Sequence, residues 1–531
     1  MKILFAALHQ GYYRNIESVV EELAARGHSL YLGHERHDSA IGGQAIVERL
    51  ASRLPGIRHG GVPTRETDAA FLASKVRLGL DYLRYLHSMY PPASGLRPRA
   101  EVRTPAAIVK LTRSALLTHP AAKRMLASWL DTTDRAFPPS PAIEAFLDEQ
   151  RPDLVAITPL VGLIPSSQVD LLRAAQARRI PTVVIVWSWD HLSSKAIIRD
   201  PVDGLFVWNE AQKQEAVEMH GFPADRVVVT GAQCFDKWFG RGPRRARTEF
   251  VQRAGLPDER PYVLWVCSAL LPGGPPEPDV VTRWATALRN APDERVRNLN
   301  ILIRPHPSRV DDWNGVDWRR FGNIALFGEN PIDDEARDDY FDSLYHSAAV
   351  VGITTSAFLE AALLDRPVMT IYFDDVKQEH EGSLHFQLLL NFRGGMMTTA
   401  RTVDEHLAQL AAMAGGPPSD VIARQRRFVD AFVRPHGKDV AATTVAADRL
   451  EALGRQPSTI VPHAPRAIGR WTIKMLARVE KHPRWKYWLL TEREAVVARR
   501  MDDKLERREE ALARKAKQRA EKARRVADRG R

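Results

Sequence analysis

Apolar runs and helix-period segments alternate along the first 460 residues. The run ILFAAL at 3–8 is followed by a loop and then by Ile16, Val19, Val20 and Leu23, which recur at helical spacing before SLYLG begins another apolar run. Short buried strands separated by amphipathic helices are typical of a parallel sheet with helices on both faces. The pattern therefore predicts an α/β fold for this part of the chain.

The apolar runs form two series separated by a segment rich in Gly, Pro and Arg. The first series continues with LVAITPL (154–160), TVVIVW (182–187), GLFVW (204–208) and RVVVTG (226–231), and the second comprises YVLWVCS (262–268), LNILIRP (299–305), AAVVGI (348–353) and PVMTIYF (367–373). The intervening texture of residues 232–260 is typical of a linker. We predict two doubly wound, Rossmann-like domains, residues 1–240 and 241–455, which face a cleft at the carboxyl ends of their strands.

Three segments depart from this alternation. Residues 65–135 lack strand patterns, so we expect a helical insertion in the first domain. Two apolar-rich helices, at about 403–414 and 419–452, are expected to close the second domain. Residues 456–531 form a basic tail that reads as helical or disordered.

The charge of the chain is concentrated in this tail. The net charge is +11, yet residues 461–531 alone contain 22 basic and 10 acidic residues, which leaves the other 460 residues at −1. An argument from basic charge therefore applies to the tail and not to the two domains.

The remaining composition indicates a cytoplasmic globular protein. No apolar run approaches the roughly 18 residues of a membrane span, and MKILFAALHQG is too short in apolar residues for a secretory signal. The two cysteines, Cys234 and Cys267, lack metal-ligand spacing and suit a reducing compartment. We therefore expect a cytoplasmic location.

The stretch GITTSAFLE, 352–360, combines a glycine, three hydroxyl side chains and a glutamate after an apolar strand. A helix N-terminus favours an anion, to which Thr354, Thr355 and Ser356 would add hydroxyl donors while Gly352 permits close approach. Glu360 follows Ser356 by four residues and shares its helix face. The pattern favours a site for an anion; the alternative is a capped helix with a solvated glutamate.

A second motif, NILIRPHPSR at 300–309, places Arg304 and His306 at the end of a strand between two prolines. Rigidly held cationic and imidazole groups suit a departing diphosphate, whose negative charge must be stabilised. The alternative is a turn with a surface histidine.

With these two motifs, the chain resembles the GT-B glycosyltransferase superfamily over about residues 1–455, apart from much of 65–135. Its sequence pattern is most similar to that of bacterial enzymes that build cell-surface polymers, namely the UDP-sugar 2-epimerases and the Kdo, capsule or glycerophosphate transferases. The resemblance implies that Glu360 holds the donor ribose and that the loop before it holds the diphosphate. Arg304 and His306 match the HP or RHP element of related transferases, whereas Ser308 departs from its longer forms.

The first domain is expected to bind the acceptor. In WSWDHLSSK, 187–195, Asp190 and His191 follow a strand and are candidate catalytic bases, while Lys195 could instead meet a phosphate. Asp190 reads equally well as a helix N-cap. The resemblance also implies acceptor contacts from the first strand–helix loop, which contains the candidates His9, Gly11 and Asn15.

No metal site emerges from the sequence. Asp374 and Asp375 lie outside the architecture in which a DxD pair holds a metal, and GT-B enzymes generally stabilise the leaving group with helix ends and basic side chains. We therefore expect a metal-independent enzyme without a cofactor, whose nucleotide-activated donor is a substrate. His385 is a further candidate for donor contact.

The start of the tail mixes aromatic and basic residues. Trp471, Trp485, Tyr487 and Trp488 alternate with lysines and arginines between 469 and 490. Tryptophan and tyrosine prefer the lipid headgroup region, and basic residues are attracted to anionic lipid. Residues 469–531 are therefore expected to contact an anionic membrane surface; a solvated helix is the alternative, and a nucleic-acid partner is not expected because the domains lack a matching basic face.

These observations predict a transferase that moves a sugar, or a related group, from a nucleotide-activated donor to a hydroxyl of a cell-envelope glycan or lipid-linked acceptor. It would work in the cytoplasm, peripherally on the inner face of the plasma membrane. The alternatives are an enzyme similar to the UDP-sugar 2-epimerases, one similar to the CDP-alcohol phosphotransferases, and a catalytically silent scaffold.

Overall fold

The computed structural model describes residues 1–37, 42–90, 96–160, 166–195, 197–257, 260–268, 275–376, 380, 383–462 and 464–502. The chain forms two compact units. The first comprises Met1–Ala70, Tyr85–Arg97 and Pro138–His463, and the second comprises Phe71–Arg84, Pro98–Phe137 and Ala464–Arg531.

Seven parallel strands form the first sheet of the first unit. They are β1 (Lys2–His9), β2 (Ser29–Arg36), β3 (Ile57–Gly61), β4 (Leu154–Thr158), β5 (Thr182–Ile185), β6 (Gly204–Val207) and β7 (Val227–Val229). Their order is β3-β2-β1-β4-β5-β6-β7, and every adjacent pair is parallel. The central strands β4, β5 and β6 are buried along their whole length, as their continuous apolar sequences predict.

Six parallel strands form the second sheet of the same unit. They are β8 (Tyr262–Val266), β9 (Asn300–Arg304), β10 (Ile324–Leu326), β11 (Ala349–Val351), β12 (Val368–Ile371) and β13 (Thr398–Ala400), in the order β10-β9-β8-β11-β12-β13. The strand order reverses between β8 and β11, which is the doubly wound arrangement. The predicted α/β fold class with two Rossmann-like domains is therefore confirmed.

Helices cover both faces of each sheet. In the first unit they span Glu17–Ala25, Gly43–Arg53, Pro141–Gln150, Gln168–Ala177, His191–Ser194, Glu210–His220, Arg247–Arg253, Glu277–Arg289, Glu294–Arg297, Asp334–Tyr345, Ala357–Leu363, Leu384–Asn391, Val403–Ala414, Ser419–Phe432 and Ala442–Gly454. Short 3-10 helices follow β1 and β7, at Gln10–Asn15 and Gln233–Trp238.

The prediction of one helix over 419–452 is wrong. The structure has two helices there, Ser419–Phe432 and Ala442–Gly454. Asp236 accepts hydrogen bonds from the backbone N–H groups of Ala442 and Thr443 at the start of the second helix. Ala446, Ala447 and Leu450 of the final helix then pack in the core of the first sheet. The second series of elements therefore ends against the first sheet and not against its own.

The insertion is helical, as predicted, and it forms part of the second unit. Its helices are Thr67–Arg84, Leu96–Glu101, Ala106–Arg113 and Pro120–Asp134, and the tail adds Ala467–Lys481 and a helical segment at 492–502. The expectations for residues 503–531 lie outside the described residues. Within the described ranges, no helix is both long and apolar enough to cross a membrane.

Candidate functional site

Glu360 lies in the helix Ala357–Leu363 and is held by Tyr340 of the helix Asp334–Tyr345. The Tyr340 hydroxyl donates a hydrogen bond to Oε2 of Glu360, and Arg304 lies over the Tyr340 ring with its guanidinium carbon 4.6 Å from the ring centroid. Burial raises the pKa of Glu360, while Tyr340, Arg14 and Arg304 oppose this increase. The three side chains thus form one polar cluster behind the 352–356 loop.

Arg304 is a buried member of this cluster. It is 5% exposed, and its Nη2 donates to the Glu329 carbonyl at 2.6 Å. Gly328 has φ +111° and makes room for it, because a Cβ atom there would overlap Nη1 of Arg304. The direct contact of Arg304 with a diphosphate stays a prediction; in this structure the side chain contacts the Tyr340 ring, and its charge opposes the increase in the pKa of Glu360.

Arg14, which the sequence analysis did not single out, brings a charge of the first domain to the second. It is exposed and lies in the 3-10 helix that follows β1. Its charge opposes the increase in the pKa of Glu360 and adds to the burial that lowers the pKa of His306. No pattern in the sequence marks Arg14, because its role depends on the second domain facing the first.

His306 is half-buried at the start of the 3-10 helix Pro307–Trp313. Its Nδ1 accepts a hydrogen bond from the Ser308 backbone N–H at 3.2 Å and lies 2.8 Å from the Ser308 hydroxyl. Burial lowers the pKa of His306, and Arg14 and Arg309 lower it further. The ring is therefore neutral at pH 7 with its proton on Nε2, so it offers a hydrogen-bond donor and not a cation. The backbone N–H of Ser308 fixes this tautomer, because it donates to Nδ1.

The 352–356 loop has the predicted strand–turn–helix form, with a helix of only seven residues. Gly352 is required by the protein itself, since a Cβ atom there would lie 2.7 Å from the Val266 carbonyl oxygen. The backbone of Thr354 donates to the Ser268 hydroxyl at 3.2 Å, and Thr355 Oγ1 accepts from Ala357 N at 3.4 Å. Ser356 is exposed and makes no capping hydrogen bond. Ser356 is the hydroxyl most available to a ligand.

Asp190 is occupied by its neighbours. Its Oδ2 accepts hydrogen bonds from Lys195 Nζ at 2.9 Å and from Ser194 Oγ at 2.8 Å, and its Oδ1 accepts one from Ser188. Burial acts to raise the pKa of Asp190, but Lys195, His385 and Ser188 together hold it well below its usual range. It lies at the N-cap position without making a backbone capping bond. A carboxylate this acidic and this fully bonded is a weak base, and Lys195 is its ion-pair partner.

His191 lies in the helix His191–Ser194 and is 0% exposed. A side chain with no accessible surface cannot take a proton from a bound acceptor in this conformation. His191 is therefore not accessible to an acceptor in this conformation, where it packs beside Trp187 with 6.3 Å between ring centroids, and its catalytic role stays a prediction.

The β1 loop contains an aromatic group and a tight backbone contact. His9 lies 4.2 Å from Tyr12, which meets Trp187 edge-on at 4.9 Å. Gly11 is buried against the start of the helix Gly43–Arg53, where a Cβ atom on Gly43 would overlap the Gly11 backbone nitrogen. Asn15 ends the 3-10 helix, and its carbonyl accepts from Gln233 Nε2 at 3.4 Å. Of the three acceptor candidates, His9 and Asn15 are partly accessible.

Two further candidates contact protein groups. His385 packs edge-on against Trp189 at 4.8 Å, so it joins the second domain to the end of β5. Asp375 pairs with Arg283 at 2.6 Å, which accounts for the acidic pair at 374–375.

Glu35, at the carboxyl end of β2, is a titratable group that the sequence analysis missed. The register pairs Ala7 with His34 and His9 with Arg36, so Glu35 lies beside the start of the β1 loop. Oε1 of Glu35 accepts hydrogen bonds from Ser166 Oγ at 3.2 Å and Ser167 N at 2.9 Å. Burial raises the pKa of Glu35 to about 7, against the opposing effect of these two bonds. In the sequence its only mark is its position at the end of a strand.

Of the comparisons with known proteins, only the one with solved structures found similar proteins. No protein-family model matches the chain, and no curated protein matches it. One similar structure is a glycosyltransferase from Rickettsia africae. The match has 10% sequence identity and a TM-score of 0.47, and it covers 85% of this chain and 98% of that chain. A UDP-GlcNAc 2-epimerase from Neisseria meningitidis bound to UDP-GlcNAc has 12% identity, coverage of 85% and 100%, and a TM-score of 0.45. A wall teichoic acid polymerase has 10% identity, coverage of 86% and 89%, and a TM-score of 0.42.

These structures are of the same kinds of enzyme as those that the sequence resembles. At such identities and TM-scores the likeness carries no assignment of reaction or substrate. The class of the protein rests on its own two parallel sheets: a two-domain, doubly wound α/β protein whose second domain contains the Glu360 cluster.

Proposed function

We propose that the protein is a GT-B-type transferase that binds a nucleotide-activated sugar, or a related donor, and transfers its group to a hydroxyl. The observation that carries the proposal is the cluster after the glycine and hydroxyl turn, in which Tyr340 donates a hydrogen bond to Glu360 and Arg304 lies over the Tyr340 ring. Arg14 of the first domain adds a positive charge that acts on Glu360 and His306. A nucleoside diphosphate would place its ribose and phosphates against these groups.

The cluster residues receive separate roles in this proposal. Glu360 accepts hydrogen bonds from the ribose hydroxyls, and Tyr340 fixes its orientation. Ser356 and the neighbouring hydroxyls bind the diphosphate, and Arg14 offsets its charge as it leaves. His306 donates Nε2–H to the leaving phosphate oxygen. Because these groups supply the positive charge and hydrogen bonds that the leaving group needs, the proposed reaction requires no metal or cofactor.

Glu35 is the better candidate for the base that activates the acceptor. As the acceptor oxygen attacks the donor carbon, the hydroxyl proton passes to a carboxylate, and the diphosphate leaves with the bonding electron pair. A base works best when its pKa is near the operating pH, which favours Glu35 over the acidic, ion-paired Asp190. Oε2 of Glu35 accepts no hydrogen bond from the described residues, so it is available to the acceptor.

The acceptor and the location complete the proposal. We assign the acceptor to a cell-envelope glycan or a lipid-linked glycan, and we place the enzyme in the cytoplasm at the inner face of the membrane. The aromatic and basic composition of residues 469–531 supports this placement, because it suits an anionic lipid surface.

Ligand-dependent thermal stabilisation tests the donor site. UDP, CDP, GDP and CMP are each added to the wild-type protein, to Glu360→Gln and to Arg14→Ala, and the melting temperature is measured. We expect one nucleotide to stabilise the wild type and to lose most of this effect in both variants. Arg319→Ala, which removes an exposed arginine of the 3-10 helix Trp318–Phe321, serves as the matched control for Arg14→Ala.

Product analysis with the matching nucleotide-sugar separates the alternatives. Transfer to an acceptor, or slow hydrolysis of the donor, supports a transferase, whereas an isomerised sugar would show an epimerase. If no nucleotide stabilises the wild-type protein, the proposed donor site is wrong.

A further inference from the structure

The second unit is strongly basic as a whole, and not only in its tail. Its three segments, 71–84, 98–137 and 464–531, contain 32 basic and 14 acidic residues, a net charge of +18. With a total of +11, the first unit therefore has a net charge of −7. The insertion thus has a positive net charge, as the tail does.

The second unit also exposes most of the large apolar side chains. It holds about a fifth of the described residues, yet 13 of their 18 exposed large hydrophobic side chains belong to it. The most exposed are Leu116 at 78%, Met125 at 73%, Val102 at 70% and Met501 at 62%. Such a concentration of apolar surface indicates an interaction face, since monomeric soluble proteins scatter these residues singly.

The insertion and the described part of the tail form one body. Nε1 of Trp129 donates to Thr472 Oγ1 at 3.1 Å, and Thr472 in turn donates to the Ile468 carbonyl at 2.9 Å. The backbone N–H of Ala106 donates to the Leu490 carbonyl at 2.9 Å. Lys75, which is 7% exposed, forms an ion pair with Glu494 at 2.7 Å. Apolar residues of the insertion are therefore held beside those of the tail.

The helix Ala467–Lys481 separates its exposed residues into two adjacent stripes. Ile468, Trp471 and Met475 recur at intervals of three and four and form an exposed apolar stripe. An exposed basic stripe on the neighbouring face contains Arg470, Lys474, Arg478 and Lys481. Apolar groups flanked by cations are the arrangement of a helix that lies in the membrane interface.

We infer that the insertion and residues 464–502 of the tail together form a docking surface for an anionic lipid bilayer. Leu116 and Met125 of the insertion and Trp471 and Trp485 of the tail enter the headgroup region, and the flanking arginines and lysines bind lipid phosphates. A bilayer fits better than a protein partner because charge and apolar groups are interleaved over both segments, and because exposed tryptophans prefer the interface. The inference extends the proposed membrane contact of residues 469–531 to the insertion and is independent of the donor.

Vesicle flotation of the full-length protein tests this surface. The vesicles contain either phosphatidylcholine alone or an equimolar mixture of phosphatidylcholine and phosphatidylglycerol. Three double variants are compared: Leu116→Ser/Met125→Ser in the insertion, Trp471→Ser/Trp485→Ser in the tail, and the control Val310→Ser/Val461→Ser at exposed apolar positions of the first unit. Point variants are preferable to deleting the tail from about residue 455, because the deletion would remove the hydrogen-bond partners of Trp129 and Ala106 in the insertion.

The expected result is binding to the anionic vesicles that weakens with salt. Each of the first two variants should bind roughly tenfold more weakly, with unchanged melting temperature, and the control should match the wild type. Loss of binding only in the tail variant would overturn the role of the insertion. Failure of the wild type to float, or a dimer by light scattering that Leu116→Ser/Met125→Ser dissociates, would overturn the lipid surface. None of these results depends on donor binding, so the proposed transfer is judged separately.

Discussion

The Glu35→Gln substitution tests whether the buried carboxyl at the end of β2 titrates near neutral pH. Burial raises the pKa of Glu35 to about 7, compared with 4.5 for the exposed group. The native state therefore retains a proton that the unfolded chain releases between these two values. This contribution to the free energy of unfolding is complete below pH 4.5 and is lost as the pH rises through about 7.

The magnitude follows from the difference between the two pKa values. At about 1.4 kcal/mol for each unit, the contribution lost by high pH is on the order of 3 kcal/mol. Glutamine is uncharged at every pH, and its carbonyl oxygen still accepts the hydrogen bonds from Ser166 and Ser167. Glu35→Gln should consequently be more stable than the wild type at alkaline pH and similar to it in acid.

Melting temperatures of both proteins, measured across this pH range, provide the assay. A domain of this size shifts by roughly 2–4 °C for each kcal/mol, so the variant should melt several degrees higher at alkaline pH. Glu17→Gln is a control of opposite sign. Burial acts to raise the pKa of Glu17, but Lys237, Arg337 and Arg49 lower it overall, so its stabilisation is present above its unfolded pKa and lost in acid. A difference for Glu35→Gln that does not change with pH would refute the assigned ionisation.

The same variant separates the catalytic proposal from the stability argument. If Glu35 is the base, Glu35→Gln should strongly reduce transfer while leaving nucleotide-dependent stabilisation intact, and the ionisation near neutral pH should disappear from the pH–rate profile of the remaining activity. Transfer at the wild-type rate in a folded variant would exclude Glu35 as the base.

Three further substitutions probe the donor cluster. Glu360→Gln should weaken nucleotide binding by about 1–3 kcal/mol in a titration, because a charge-assisted hydrogen bond to the ribose is lost; unchanged affinity would contradict the assignment. Gly328→Ala should also lower affinity in the same titration, since its Cβ atom displaces Arg304 from Tyr340, and unaltered binding would show that Arg304 is dispensable. Ser308→Ala should reduce turnover by less than one order of magnitude, because the backbone N–H still orients the imidazole. If turnover falls as far as it does when the His306 imidazole is removed, the serine has a direct role.

The strands that the sequence analysis found and those it missed differ in burial. Central strands such as β4 and β5 are fully buried and appear as continuous apolar runs. The missed strands are β3, β10 and β13, with the sequences IRHGG, IAL and TTA, and each lies at an edge of its sheet. An edge strand has one neighbour and partial exposure, so the residues of β3 and β13 need not be apolar, whereas β10 is apolar but only three residues long.

The sequence by itself determined the alternation of strands and helices, the glycine and hydroxyl turn before Glu360, and the aromatic and basic character of the tail. These features depend on local spacing and on which residues avoid water, and both can be read along one chain. Tertiary structure decided which of the candidates are accessible and which charges act on them. It buried His191 and Arg304, placed the charge of Arg14 where it acts on Glu360, and joined the tail to the insertion. Burial, pKa and electrostatic contact depend on neighbours that are hundreds of residues away in the chain, so only the folded molecule could supply them.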